Sequence, residues 1–279
     1  MYNGVSEEVL NNENAYKIGY LQGVQDSQNK KEVTKDILKM KDEQSEFHKE
    51  ILENYGGFYF NFYKRINIEG QFLFRFLYLC SYMNYNNYLS DGRRLITLDR
   101  VNNLLALSDT ELRRTIKFLL ENELIKIDDN LILINEKYCK KGKIHKTKSI
   151  EVIRMFNEAI RELYEKALPR EHKKLSLLIS ILPYINFRYN IICKNPNEDN
   201  IELVEPYKMS ELCELLGYDK TNSSKLKRQL FALRINKEEV IGIFEKSCGK
   251  AIFVNPRLYY KGTRLEDVTY LADMFRLKN

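Results

Sequence analysis

Tryptophan is absent from this chain of 279 residues, and histidine (three), cysteine (five) and proline (five) are scarce. Each shortage excludes something. The cysteines, Cys80, Cys139, Cys193, Cys213 and Cys248, are odd in number, far apart and form no CxxC pair, which argues against a disulfide framework and a zinc site. They are expected to pack as small apolar residues in a reducing, cytoplasmic setting. The histidines, His48, His145 and His172, are isolated, so neither a metal site nor the His-x-His pair of a nicking nuclease is expected. No P-loop, dinucleotide-binding glycine pattern, HExxH or EF-hand loop occurs. The expectation is a protein that is not an enzyme, with no catalytic residues, no cofactor and no metal. The longest apolar stretches, FLFRFLYLC (72–80) and LSLLISILPY (175–184), are too short to span a bilayer, and the opening MYNGVSEEVLNNENAY is too polar for a signal peptide. No membrane partner is expected.

What is present is a mixed, abundant charge, 30% of residues, beside 44% hydrophobic residues. That is enough for packed cores, and the length suggests two domains. The charge is unevenly spread. Residues 1–53 hold seven basic and eleven acidic side chains, a net of −4, which leaves +10 for the rest against a whole-chain +6. A basic body suits a polyanionic partner, and it also serves plain solubility.

Residues 1–31 are polar and lack a sustained apolar period, so a mobile N-terminus is expected. In 32–55, Val33, Ile37, Met40, Gln44, Phe47 and Ile51 alternate spacings of four and three. That pattern predicts an amphipathic helix whose seam either lies on its own domain or pairs with a second chain, a homodimer through 32–53. The alternation in GFYFNFYKRI (57–66) predicts a short strand.

Three segments recur in order. YMNYNNYL (82–89) is similar to YINFRYNI (184–191), LDRVNNLLALS (98–108) to MSELCELLGYD (209–219), and INEKYCKKG (134–142) to VNPRLYYKG (254–262). This is an internal duplication whose second repeat carries an insertion, KNPNEDNIELVEP (194–206). A helical stretch follows each repeat, SIEVIRMFNEAIRELYEKA (149–167) and RLEDVTYLADMFRL (264–277).

Within the first repeat, residues 70–84 read as a buried helix, and Thr97 as the N-cap of a second, LDRVNNLL. A turn at Ala106-Leu107-Ser108 leads to a third helix, where Ser108 and Glu111 form a capping box. Its Leu112, Ile116 and Leu119 are expected to face the core, leaving Thr110, Arg113, Arg114 and Lys117 outward. ENELIKIDDNLILIN (121–135) reads as a hairpin with a polar tip. In the second repeat Leu226, Leu230 and Leu233 should face inward, and Asn222, Ser223, Ser224, Lys225, Lys227 and Arg228 outward. Its hairpin, 240–255, turns near Cys248-Gly249-Lys250. Helix, turn, helix and hairpin is the winged-helix order. In that order the third helix enters the major groove of duplex DNA and the hairpin reaches adjacent phosphates. The outward polar and basic residues, with Lys250 in the second wing, are therefore candidate DNA contacts.

ITLDRVNNLLALSDTELRRTIKFLLENELIKI resembles the core of bacterial winged-helix regulators and initiators. SYMNYNN (81–87), INEKYCKKG and FVNPRLYYKG resemble segments of replication proteins from Firmicute plasmids and phages. In that family a winged-helix domain ends in a wing, an Asn-Pro, an aromatic stretch and Lys-Gly. Here the first repeat has Asn135-Glu136 in place of Asn-Pro, and the domain is doubled. The resemblance implies sequence-specific binding of double-stranded DNA by a replication initiator or a transcription regulator. The lysine run KYCKKGKIHKTK (137–148) adds Lys140, Lys141 and Lys143 as candidate phosphate contacts.

The expected architecture is mainly α with small β-hairpin wings (α+β), two tandem winged helix-turn-helix domains joined by a helix. Its boundaries are a mobile terminus (1–31), an amphipathic helix (32–55), the first winged domain (56–148), a linker helix (149–168), and the second winged domain with a C-terminal helix (169–279). The alternative is a protein-interaction module that uses the same domains without DNA, as an inhibitor or adaptor of a host machine.

Overall fold

The aromatic run around residue 75 builds α1 (Gly70–Cys80), which is buried from Phe72 through Cys80. A helix that is apolar on every side must be surrounded. Here α3 (Asp109–Glu121), α4 (Asn157–Lys166) and α5 (His172–Ile181) pack against it. The computed structural model describes residues 25, 27–35, 38–39, 57–61, 70–142, 152–246, 249–262 and 265–277. The chain divides into two units, 1–50 and 51–279.

In the first unit the described residues are helical and exposed, so the helix begins before residue 32, inside the stretch expected to be mobile. Val33 of the seam is 57% exposed. The other seam positions, Ile37, Met40, Gln44, Phe47 and Ile51, lie outside the described residues, and so does the question of pairing through 32–53.

The second unit carries the repeats. The described residues are mixed α and β, about half helical, with small antiparallel strand pairs. The first repeat runs α1, a hairpin β2–β3 (Ser90–Asp91, Arg94–Leu95), α2 (Leu98–Leu105), α3, and a hairpin β4–β5 (Ile125–Asp128, Leu131–Ile134). The second runs α5, α6 (Met209–Leu215), α7 (Ser223–Phe231), a small hairpin β8–β9 (Arg234–Ile235, Glu238–Glu239), then β10–β11 (Ile241–Lys246, Gly249–Val254). In place of β2–β3 it has the 194–206 insertion, which contains a single 3-10 turn at Ile201–Leu203. The C-terminal α8 (Leu265–Arg276) is helical as expected.

The hydrogen bonds repeat as faithfully as the elements. After α1, Met83 bridges Leu89, and after α5, Ile185 bridges Ile192. The Asn84 side chain accepts from the Asn86 and Tyr88 amides, as Asn186 does from Arg188 and Tyr189. Asn87 and Asn190 both take positive φ, 63° and 52°. The Asn87 amide donates to the carbonyls of Ile134 and Cys139, and Asn190 to those of Val254 and Tyr259. Each asparagine thus ties the loop after the first helix to the far end of the last hairpin.

A small sheet joins the repeats. β1 (Phe58–Asn61) lies between β6 (Cys139–Lys140), which ends the first repeat, and β7 (Val152–Met155), which precedes the second. Tyr259 of the second repeat bridges Met155 on the outer side of β7. The arrangement is pairwise symmetric: each repeat's leading strand holds its own tail. It corrects the expected linker helix of 149–168. Residues 152–155 form a strand because the antiparallel partner Phe58–Asn61 supplies a ladder that VIRM accepts, and the helix begins only at Asn157.

Candidate nucleic-acid interface

The geometry of the third helices begins at the turn before them. α2 ends at Ala106 in the left-handed conformation, φ 49°, and Gly217 holds the same place after α6 at φ 74°. The chain then re-enters a helix through a capping side chain. Ser108 accepts from the Glu111 amide, and Asp219 from the Thr221 amide and hydroxyl. Thr97 takes the extended N-cap conformation before α2 without a side-chain bond.

The expected capping box at Ser108 is only half formed, because the Glu111 carboxylate is taken by a buried arginine. Arg75, on α1 and 2% exposed, donates through Nη1 to Glu111 Oε2 (2.9 Å) and Thr115 Oγ1 (2.8 Å), and through Nε to His172 Nδ1 (3.3 Å). A buried charge demands such partners. The network fixes the first turns of α3 to α1 and ties the first repeat to the second. His172 stays neutral: burial, and then the Arg75 charge, lower its pKa to about 4.

This network also moves the core face of α3. Thr115 and Leu119 are fully buried, while Leu112 and Ile116, expected at the core, are half-buried. In the second repeat Leu226 and Leu230 are buried and Leu233 half-buried. Matching the caps Ser108 and Asp219 brings Thr115 onto Leu226 and Leu119 onto Leu230. The correspondence of Leu112 with Leu226, which helical spacing alone suggests, is therefore shifted by one turn. The reason is the 3-10 turn Lys220–Asn222 between the cap and α7. Arg113, Arg114 and Lys117 correspond to Ser224, Lys225 and Arg228.

The outward residues are outward. Thr110, Arg113, Arg114 and Lys117 are exposed, as are Ser224, Lys225, Lys227 and Arg228, with Asn222 and Ser223 half-buried. Their charges differ in freedom. Arg114 meets Glu111 (3.8 Å) and Lys117 meets Glu121 (3.8 Å). Arg113, Lys225 and Arg228 have no ion-pair partner among the described residues. α7 contains no acidic residue at all.

The hairpins differ too. In the first, Asp129 and Asn130 both take positive φ in a two-residue turn. Its tip is pinned: the Leu98 amide donates to the Asn130 carbonyl, and the Asn130 side chain to Asp99. In the second, the six-residue strands put Lys250 exposed beside a tip whose residues 247–248 lie outside the described set.

The lysine run does not line up as one surface. Lys140 is exposed and meets Glu136 (3.5 Å). Lys141 turns inward to donate to the Met83 carbonyl (3.1 Å), and burial lowers its pKa, which removes it from the expected phosphate contacts. Lys143 lies outside the described residues. Arg93, Arg94 and Arg100, all exposed on the β2–β3 hairpin and α2, are further cations outside the periodic helix faces. The dipeptide Gly92-Arg93 at a turn, directly before a capped helix, is the signal that marks them.

Among the described residues no group of His, Cys, Asp and Glu could hold a metal ion, and no helix is long and apolar enough to cross a membrane. Cys80, Cys139, Cys193 and Cys213 are buried. No protein-family model, curated protein or solved structure matches the chain.

Proposed function

We propose that the two repeats are winged helix-turn-helix domains and that the chain binds duplex DNA through α3 and α7. The observation that carries this reading is α7. It is a short helix behind a glycine turn, held on its inner face by Leu226 and Leu230, with Ser224, Lys225, Lys227 and Arg228 exposed and no acid among them. Serine and lysine can meet base edges, and lysine and arginine phosphates. Lys250, exposed on the long second hairpin, is a further cation of the second repeat. The segments ending each repeat resemble those of plasmid and phage replication proteins, which favours an initiator. A transcription regulator would use the same surface.

Gel shifts with random and genomic duplexes, from 50 to 200 mM salt, test the reading. Binding should weaken steeply with salt, log K falling by about 0.9 per phosphate neutralised. No binding at the lowest salt would reject it and leave the protein-interaction reading. Genomic footprinting then separates the two roles. Repeated sites within an origin indicate an initiator, and sites upstream of several genes a regulator.

A further inference from the structure

In the first repeat the space between the first and third helices is closed by aromatic stacking. Phe72 of α1 lies on Phe118 of α3 with ring centroids 4.2 Å apart, and the Arg114 guanidinium sits 5.6 Å from the Phe72 centroid. The matched bridges Met83–Leu89 and Ile185–Ile192 place Lys174 where Phe72 stands, and the matched caps place Gln229 and Lys225 where Phe118 and Arg114 stand. Neither Lys174 nor Gln229 can close that space. The result is a cavity of about 730 Å³ between α4, α5 and α7, lined by all three substituted residues.

Its chemistry is specific. Leu163, Ala167, Leu175, Ala232 and Leu233 give it an apolar surface. Lys225 and Arg228 stand at the wall, and neither has an ion-pair partner among the described residues. The buried Gln229 Oε1 accepts no hydrogen bond. That oxygen is closed off from the open space, so the shape of the cavity and the two cations define what it holds.

We propose that this cavity binds a small organic anion: an apolar, ring-sized body and an acidic head group held by Lys225 and Arg228. The volume is that of a small-molecule site, and the other basic residues around it, Lys166, Lys174 and Arg234, are paired with Glu162, Glu171 and Glu239. Because Lys225 and Arg228 also belong to the outer side of α7, the occupied site competes with DNA for the same charges. That coupling, unlike the site itself, rests on the DNA-binding reading.

The probe is 8-anilinonaphthalene-1-sulfonate, an aromatic anion whose fluorescence rises in apolar surroundings. The full-length protein should bind one equivalent, at least ten-fold more tightly than the uncharged N-phenyl-1-naphthylamine. Gln229→Phe restores the first repeat's ring and should weaken the probe at least ten-fold while thermal melting stays cooperative. Ala232→Leu fills the cavity from the C-terminal end of α7 and should do the same if Gln229→Phe fails to fold. Failure of the protein to bind the probe, or equal binding by either folded variant, overturns the site. In gel shifts a saturating probe should lower the affinity of the wild type for duplex DNA and leave that of Gln229→Phe unchanged. Unchanged wild-type affinity overturns the coupling. Absence of DNA binding overturns the functional reading while the fluorescence result stands.

Discussion

The two repeats share a hydrogen-bond plan and differ in how much of it is closed. In the first, an aromatic pair seals the space between helices, acids answer Arg114 and Lys117, and the hairpin tip is bonded to α2. In the second, a lysine and a glutamine leave that space open, Lys225 and Arg228 are unanswered, and the hairpin is longer. Closure and exposure of charge are alternatives. A surface that must meet a charged partner keeps cations unpaired and accepts the self-repulsion. On the proposed function, the first repeat would be the scaffold half and the second the reading half.

The largest expected effect tests the shared plan. Asn87 and Asn190 are matched in place, in positive φ and in the two carbonyls each holds, but the second pair of bonds is tighter. Asn190 donates at 3.1 and 2.7 Å, and Asn87 at 3.3 and 3.5 Å. Glycine keeps the backbone conformation and removes only the side chain. Leaving buried carbonyls unpaired costs ~1–3 kcal/mol each, so Asn190→Gly, which frees two, should cost about 2–6 kcal/mol and Asn87→Gly about half of that. Urea unfolding measures both. Equal losses would show that bond length does not distinguish the repeats.

The next effect concerns the seam between repeats. At matched positions of α1 and α5 stand Gly70 and His172, and the pair is asymmetric. A Cβ on Gly70 would clash with Ser176 Oγ, whereas the His172 ring lies among Phe74, Tyr164 and Arg75. A pKa lowered to about 4, against an ordinary 6.5, means that the folded state binds fewer protons than the unfolded state in that window. The stability His172 contributes is therefore full above about pH 6.5 and lost as pH falls through 4. Thermal melts should drop by several degrees between those limits. His172→Gln retains an acceptor for Arg75 Nε but cannot titrate, so it should remove the His172 part of that drop. An identical pH profile in the variant would assign the loss to carboxylates elsewhere.

How much of this was legible in the sequence follows from which interactions are local. The turn at Ala106, the Ser108 cap and the buried α1 were readable, because caps, tight turns and all-round apolar helices carry their cause within a few residues. β7 was not, because VIRM is a strand only against Phe58–Asn61, nearly a hundred positions away. The phase of α3 was missed because its buried residue is Thr115, a polar side chain whose reason for burial is Arg75. The β8–β9 hairpin was missed because Asn236 and Lys237 turn with φ of 50° and 68° and no glycine announces it. Among candidate contacts, exposure of the third helices was legible from periodicity. The inward turn of Lys141 was not, because its acceptor is the distant Met83 carbonyl.

A smaller effect tests the division that the proposed function draws between the halves. The first turn of a recognition helix enters the groove deepest. In α3 that turn holds Asp109 and Glu111, whereas α7 is preceded by Lys220–Asn222 and opens with Ser223, Ser224 and Lys225. Lys225→Ala and Arg228→Ala should therefore narrow the preference for specific over random duplex by about 1–3 kcal/mol each, if both reach bases. Arg113→Ala should weaken all duplexes alike and reduce the salt slope by about one. Lys227 corresponds to the half-buried Ile116 and should matter less than either neighbour. Competition binding with specific and random duplexes gives both quantities. A loss of discrimination confined to Arg113→Ala would exchange the roles of the two repeats.

The smallest effect is confined to one residue in each turn. Ala106 and Gly217 end α2 and α6 in the same left-handed conformation, φ 49° and 74°. The conformation is free for glycine, while a Cβ adds a cost of ~1 kcal/mol against the following carbonyl. Ala106 thus carries a strain that Gly217 does not, and it does so in the repeat that is otherwise better closed. Ala106→Gly should relieve the strain, but it also gives the unfolded chain more freedom, which offsets about half of the gain. The net expectation is a stabilisation of about 0.5 kcal/mol. For Gly217→Ala the same terms reverse and the protein should lose about 0.5–1 kcal/mol, since nothing within 4 Å of the added Cβ would contribute packing in return. Urea midpoints at constant slope resolve differences of this size. Opposite signs for the two exchanges are the expected result. The same sign for both would mean that the turns are not equivalent, and the match of Ser108 with Asp219 that follows from them would fall as well.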